Sequence, residues 1–282
     1  PGAILYGRSE PGGIVNIVTK RGKVDGVGGS VRGEIGGQGY RQAQGSLRFG
    51  NNRAQGIIGA SALKDGEKED GGELDLKSFH GSLNFQPTES SDIRLYGRFN
   101  DRESAAFPES SGGIRLAVNR DLEQRDAKET IYGADFSFDP GEKIDLNLKL
   151  ANYQRDEDKN TPAIAPADPG DPFTGIPAAT SSIDFERKSA LVSALFRLPL
   201  NTDITVGYEH LREVGENRGT LDFFGPQPRD FNLTRTTKSP FAEAKIKPLE
   251  PLIIHLGVRR DSISDQQNET SPSAGVRFTF PD

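Results

Sequence analysis

The 282-residue sequence predicts an all-β fold, an antiparallel β-barrel that crosses a membrane. Three observations predict it. Apolar and polar residues alternate with period two from about residue 26 onward, the alternating segments are long, and tight turns alternate with long loops between them. Period-two alternation puts successive side chains on opposite faces of a strand, and no comparable stretch shows the period of about 3.6 residues that an amphipathic helix needs.

About 12 strands follow from the alternation, near 26–36, 41–50, 54–64, 74–86, 92–102, 129–139, 144–156, 183–198, 203–214, 231–247, 252–263 and 271–280. The first carries the glycine-rich run Gly26-Val27-Gly28-Gly29-Ser30, which resembles a phosphate loop only superficially, because no helix follows it. In the seventh, Ile144, Leu146, Leu148 and Leu150 share one face while Asp145, Asn147 and Lys149 share the other. Ala190, Val192, Ala194, Phe196 and Leu198 repeat the pattern in the eighth. Leu252, Ile254, Leu256 and Val258 oppose His255 and Arg259 in the eleventh. Ala274, Val276, Phe278 and Phe280 oppose Ser273, Arg277 and Thr279 in the last. Soluble strands usually run about 5–6 residues. Many of these reach the roughly 9–11 residues that cross a bilayer at a tilt. At roughly 3.3 Å per residue, a strand of about 10 residues tilted by about 40° rises about 25 Å, the height of an outer-membrane apolar band.

The connections give the barrel two unlike ends. Tight ones fall at Asn51-Asn52-Arg53, Pro87 to Ser91, Pro140-Gly141-Glu142-Lys143, Leu200-Asn201-Thr202 and Pro248-Leu249-Glu250-Pro251. Between them lie the long connections 65–73, 103–128, 157–182 and 215–230, with shorter ones at 37–40 and 264–270. Structureless loops of about 20 residues are uncommon in compact domains and usually functional. Their alternation with tight turns puts all long loops at one end of a meander, the pattern of short periplasmic turns and long extracellular loops. A soluble sandwich or solenoid has no physical reason to sort its loops by length.

Composition agrees. Lys and Arg total 35 against 41 Asp and Glu, a net charge of −6, which argues against a nucleic-acid partner. There is no Cys, and hence no disulfide framework or cysteine-held metal. Only 33% of residues are hydrophobic. A barrel with one face in lipid and one lining a wet lumen accounts for that polarity. No apolar run is long enough for a transmembrane helix, and no secretory leader is visible at the start. The chain begins at Pro1 and contains no Met, as expected of a piece of a longer protein.

The first 22 residues, PGAILYGRSEPGGIVNIVTKRG, do not share the strand pattern. Leu5-Tyr6-Gly7, Glu10-Pro11-Gly12-Gly13 and Asn16-Ile17-Val18-Thr19-Lys20-Arg21 resemble the C-terminal end of the plug domain of TonB-dependent outer-membrane receptors, in the form found in the ferric-siderophore branch. Phe241-Ala242-Glu243, Gly257-Val258-Arg259-Arg260-Asp261 and Ser271 to Arg277 are similar to mid-barrel strands of the same family. The resemblance implies that 1–23 is the end of a plug and 24–282 the first part of a barrel of about 22 strands. It implies active uptake of a ferric siderophore, driven by TonB–ExbB–ExbD through a TonB box outside this chain. It also implies contact with outer-membrane lipid and lipopolysaccharide, a location in the Gram-negative outer membrane and a monomeric complete protein. An open half-barrel leaves edge backbone groups unpaired, so the slice is expected to need its other half or to close into a narrower barrel.

For ligand binding, the resemblance points to Tyr6, with Arg8 placed to attract an anionic chelate; plug packing or plug–barrel contact is the plainer account of both. In the long loops, Phe107, Phe173, Phe223 and Phe224 stand in polar surroundings, as expected where loops close over a ligand, although loop packing is the plainer account of them. Lys20 and Arg21 are expected to meet barrel-wall carboxylates. No cofactor and no protein metal ligand is expected, since iron would arrive inside its chelate. His80, His210 and His255 lie in different strands and read as lumen or interface residues. Asp156 to Asn160 imitates the start of a calcium loop but lacks its glycine and distal glutamate, and reads as a solvated charge cluster. Asn232 and Asn268 match the glycosylation sequon by chance. No GxSxG, HExxH, GxGxxG or Walker A spacing occurs, so no enzyme is expected. Vitamin B12 or another large scarce solute is the alternative ligand, and a passive porin or structural barrel the alternative class.

Overall fold

The computed structural model describes residues 25–67, 71–107, 121–165, 170, 175–222 and 225–279. These form one antiparallel sheet of 13 strands. In chain order they are β1 (Gly26–Ile35), β2 (Arg41–Gly50), β3 (Ala54–Glu67), β4 (Gly72–Thr88), β5 (Ser91–Ala106), β6 (Glu123–Gly141), β7 (Ile144–Thr161), β8 (Ala179–Leu198), β9 (Thr202–Asp222), β10 (Pro226–Pro228), β11 (Phe231–Leu249), β12 (Leu252–Ile263) and β13 (Glu269–Phe278). Each long strand pairs with the next in sequence, and the short β10 pairs only with β9. Among the described residues β1 and β13 each have a single neighbour, so the sheet is open and the narrower closed barrel is not formed.

Register sorts the side chains onto two faces, because residues directly opposite in adjacent strands share a face. Phe138, Leu146, Ala194, Val206, Ala242, Val258 and Pro272 are successive partners from β6 to β13. The next row contains Phe136, Leu148, Val192, Tyr208 and Pro240. This apolar face is exposed: Phe79 is 54% accessible, Val192 51% and Leu150 43%. Ile131, Phe231 and Leu233 are the exposed large apolar residues of the strands that lie on the other face. Among the described residues buried apolar side chains are few, namely Ala105, Ala127, Ile164, Ala165, Phe241 and Ile263. The hydrophobic surface is thus turned outward, the inverse of a water-soluble core.

Aromatic residues border this face at both ends. Phe49, Phe85, Phe138, Phe196 and Phe278 lie towards the tight turns. Phe79 and Phe99, directly opposite each other, lie at the other border with Tyr132 and Tyr208. On β8 the apolar run is Ala190–Leu198. At about 3.3 Å per residue and a tilt of about 40° it rises roughly 20 Å, close to the apolar band of an outer-membrane barrel with its two aromatic girdles.

The tight turns fall where the sequence places them. Asn51 Oδ1 accepts hydrogen bonds from the Arg53 and Ala54 amides, both 2.9 Å, closing the β2–β3 turn. Leu200 and Asn201 take positive φ of 63° and 51° between β8 and β9.

Strands run further than the alternation predicts. β6 begins at Glu123 rather than 129, β7 continues to Thr161 rather than 156, β8 begins at Ala179 rather than 183 and β9 continues to Asp222 rather than 214. The connection expected at 215–230 is mostly strand, with β10 folding back on β9 and the Asn217 amide donating to the Arg229 carbonyl at 2.7 Å. The reason is physical. Beyond the aromatic border both sheet faces are polar, as Asp156, Asp158 and Asn160 opposite Arg155, Glu157 and Lys159 illustrate, so hydrophobic alternation ends before the hydrogen-bonded ladder does.

Candidate functional site

The polar face carries the chemistry. Beyond the apolar band, β6 and β7 set Arg125, Glu129, Arg155 and Glu157 on this face. Glu157, with a side chain only 5% accessible, accepts from Arg125 Nη2 at 2.9 Å and from Arg155 Nε at 2.9 Å. Arg155 also reaches Glu129 at 3.2 Å, to which the Tyr153 hydroxyl donates at 3.0 Å. One neighbouring network centres on Glu213 of β9, held by Arg187 of β8 and Arg235 of β11. A third lies on β12, where the buried Arg259 pairs with Asp261 at 2.8 Å and Glu209 at 2.5 Å.

Burial pushes the Glu157 and Glu213 carboxyls up, but hydrogen bonds and charge from their two arginines outweigh it and hold both below the usual carboxylate range. Each is therefore an anion at neutral pH. Each is also saturated by its arginines.

Between the first two networks the wall is aromatic. Tyr153 and Phe185, on β7 and β8, have ring centroids 6.1 Å apart. The Arg187 guanidinium lies 5.8 Å from the Phe185 centroid. Arg187 remains half exposed, leaving a donor edge beside two aromatic rings. Such a wall suits a planar anion, which a guanidinium binds with paired hydrogen bonds while rings cover its faces.

Of the residues singled out from sequence, Tyr6, Arg8, Lys20, Arg21, Phe173, Phe223 and Phe224 lie outside the described residues. Phe107 follows β5 and covers Gly71, where an added Cβ would meet its Cε2 at 2.5 Å, so it packs on the β3–β4 hairpin tip. His80, His210 and His255 sit on β4, β9 and β12, and no group of three metal-binding side chains gathers among the described residues. Asp156 to Asn160 is extended strand with alternating sides and cannot wrap a calcium ion. Sequence reasoning missed Tyr153, Arg155, Phe185 and Arg187. Their signal was an aromatic and an arginine two residues apart on each of two paired strands, next to the connection at 157–182.

A family model described as "TonB dependent receptor-like, beta-barrel" matches residues 34–282. No curated protein matches the chain. Among solved structures, the unliganded ferric citrate transporter FecA is 14% identical with a TM-score of 0.74, covering 100% of this chain and 46% of FecA. The siderophore receptor PirA from Pseudomonas aeruginosa is 18% identical with a TM-score of 0.65, covering 100% of this chain and 45% of PirA. The copper transporter OprC is 14% identical with a TM-score of 0.65, covering 91% of this chain and 43% of OprC. At these identities the likeness is one of fold. The chain spans less than half the length of each.

Proposed function

The chain belongs to the TonB-dependent receptor-like β-barrel family, and from that premise we propose that the complete protein actively takes up a ferric siderophore across a Gram-negative outer membrane. Energy would come from TonB–ExbB–ExbD. The apolar face faces lipid and the polar face lines the lumen. The observation that carries the ligand class is the wall of Tyr153, Phe185, Arg155 and Arg187, where guanidinium donors lie beside aromatic faces. Ferric chelates are commonly anionic and carry planar donor groups, which this pairing suits. Tyr6 and Arg8 complete the pocket from the plug side, and Lys20 and Arg21 hold the plug to wall carboxylates. Glu243, whose buried Oε2 has no hydrogen-bond partner among the described residues, would serve as one such carboxylate.

The test is uptake of radiolabelled ferric chelates by iron-starved cells carrying the complete receptor, with and without TonB. Accumulation that needs both receptor and TonB supports the reading. Equal flux without TonB would make the protein a passive pore, and TonB-dependent uptake of cobalamin in place of iron would reassign the ligand.

A further inference from the structure

Beyond the apolar band β11 outruns its neighbour β12. The last β12 residue to find a β11 partner is Ile263, opposite Thr237, whereas β11 stays paired with β9 as far as Phe231, opposite Asn217. The β12-facing edge of β11 is therefore open beyond Thr236. Parity decides which backbone groups it offers. In an antiparallel ladder a residue turns its amide and carbonyl to one neighbour, and the next residue turns them to the other. The Lys247 amide donates to the Asn201 carbonyl on the β9 side at 3.1 Å. The Thr236 amide donates to Ser264 Oγ at 3.0 Å, and its carbonyl accepts from the Ser264 amide at 2.9 Å, on the β12 side. Even-numbered residues thus face β12. The N–H and C=O groups of Asn232 and Thr234 point into the opening, with no partner among the described residues.

The opening has two ends. β10 continues the register of β11 along β9, and its Pro226 and Pro228 fall at even positions. Proline has no N–H, so that part of the edge offers no donor at either position, a usual protection of exposed edges. Ser264 closes the other end. Between them lies a window from Phe231 to Arg235, roughly 16 Å long at about 3.3 Å per residue. On its lumen face stand Phe231 and Leu233, 59% and 61% accessible.

This window is continuous with the aromatic wall. Leu233 is directly opposite Gly215, and Gly215 is directly opposite Phe185. Gly215 has no side chain, so an open trough about two strand spacings wide, about 10 Å, runs from the Phe185 ring to Leu233.

We infer that the transported ferric chelate carries its iron-binding groups on a short peptide, whose backbone adds to the edge of β11 at Asn232 and Thr234. The chelate lies against Phe185 and Arg187, and an apolar side chain of the peptide packs beside Leu233. An extended peptide supplies the alternating donors and acceptors that the edge lacks, and side chains at every second position reach the lumen face. The window admits about five residues, which suits a short peptide. A second copy in the same membrane holds its β11 in the same direction, so a two-fold antiparallel edge pair is closed to it. The inference rests on the reading of the wall as a site for an anionic ferric chelate, and adds the chemical class of that chelate.

The experiment measures binding to the complete receptor in detergent micelles with three probes. These are the iron(III) tris-catecholate of a linear tetrapeptide, the same chelate with its backbone amides N-methylated, and an iron(III) tris-catecholate on an amide-free scaffold. The tetrapeptide chelate is expected to bind at least tenfold tighter than its N-methylated form. Asn232→Pro/Thr234→Pro removes both donors at positions of the parity that Pro226, Pro228 and Pro240 already occupy. It is expected to weaken the tetrapeptide chelate at least tenfold and to leave the amide-free chelate within twofold, which shows that the variant is folded. Asn232→Ala/Thr234→Ala keeps both amides and is expected to stay within threefold for all probes. Amide hydrogens of residues 231–236 are expected to exchange freely without ligand and to be protected by the tetrapeptide chelate. Equal binding of the methylated and unmethylated chelates, no effect of the proline pair, or protection already present without ligand would each overturn the inference while leaving the wall intact. Binding of none of the three chelates would overturn the reading of the wall, and the inference with it.

Discussion

Arg187 of β8 donates to Glu213 of β9 through both Nε, at 2.9 Å, and Nη2, at 2.6 Å. The same carboxylate accepts from Arg235 Nε of β11 at 2.7 Å, so one side chain ties three adjacent strands together beyond the apolar band. Glu213→Gln keeps the shape and removes the charge. A hydrogen bond to a charged group is worth about 1.5–3 kcal/mol, so the complete receptor is expected to lose about 2 kcal/mol in denaturant unfolding. Glu216→Gln, whose only ion-pair partner among the described residues is the exposed Arg218, is expected to stay within about 0.5 kcal/mol. Equal losses for the two would deny Glu213 its bracing role.

The pH dependence has a definite sign. Glu157 and Glu213 both titrate below the ordinary glutamate value when folded. The unfolded chain therefore takes up these protons first as pH falls. Their stabilisation is complete above the unfolded value, near about 4.3, and is lost as pH falls through the lower folded values. The unfolding midpoint is expected to be level from about pH 7 to 5 as far as these two groups contribute, and to fall below that. In Glu157→Gln/Glu213→Gln the acid limb is expected to be shallower. An unchanged limb would assign acid sensitivity to other groups.

Gly207 of β9 lies beneath the ring of Phe241 on β11. An added Cβ would meet Phe241 Cζ at 2.3 Å and the Val192 carbonyl oxygen at 2.8 Å. Phe241 is 5% accessible, and its directly opposite neighbour on β12, Arg259, is 4% accessible, so the ring has little room to move. Gly207→Ala is expected to cost about 1–3 kcal/mol through overpacking. Gly33→Ala, with nothing within 4 Å of the added carbon, is the matched control and is expected to change stability by less than about 0.5 kcal/mol. A Gly207→Ala cost no larger than the control would mean that ring and carbonyl yield easily.

How far the sequence reaches depends on where an element meets apolar surroundings. Leu146, Leu148 and Leu150 announce their strand because one face is apolar and the other polar. Glu157 and Lys159 continue the same strand silently, since both faces there are polar and no hydrophobic period remains. The same silence hid Tyr153 with Phe185 and Glu213 with its two arginines. Those contacts depend on inter-strand register, which pairs residues 26 positions apart in sequence for Arg187 and Glu213, and no local pattern encodes it. Turns were legible for the opposite reason: Asn51 closes its turn with its own side chain.

Val192 tests which solvent the apolar face meets. It lies on β8 directly opposite Leu148 of β7 and Tyr208 of β9, and is 51% accessible. If this face met water, Val192→Arg would be an ordinary exposed substitution, within about 0.5 kcal/mol of the parent. In a bilayer the guanidinium would enter hydrocarbon, which costs about 2–4 kcal/mol near the midplane and falls to about 0–1 at the interfaces. Gln154→Arg provides the contrast, since Gln154 shares the face but lies beyond the aromatic border and contacts Glu186 at 3.3 Å, where an arginine keeps an acceptor. Folding of the complete receptor into lipid vesicles is expected to be weakened by Val192→Arg, which lies between the midplane and the aromatic border, by about 1–2 kcal/mol and by Gln154→Arg by less than about 0.5 kcal/mol. Equal effects at both positions would place the face in water, because only a change of solvent along the strand separates two substitutions to the same residue on the same face.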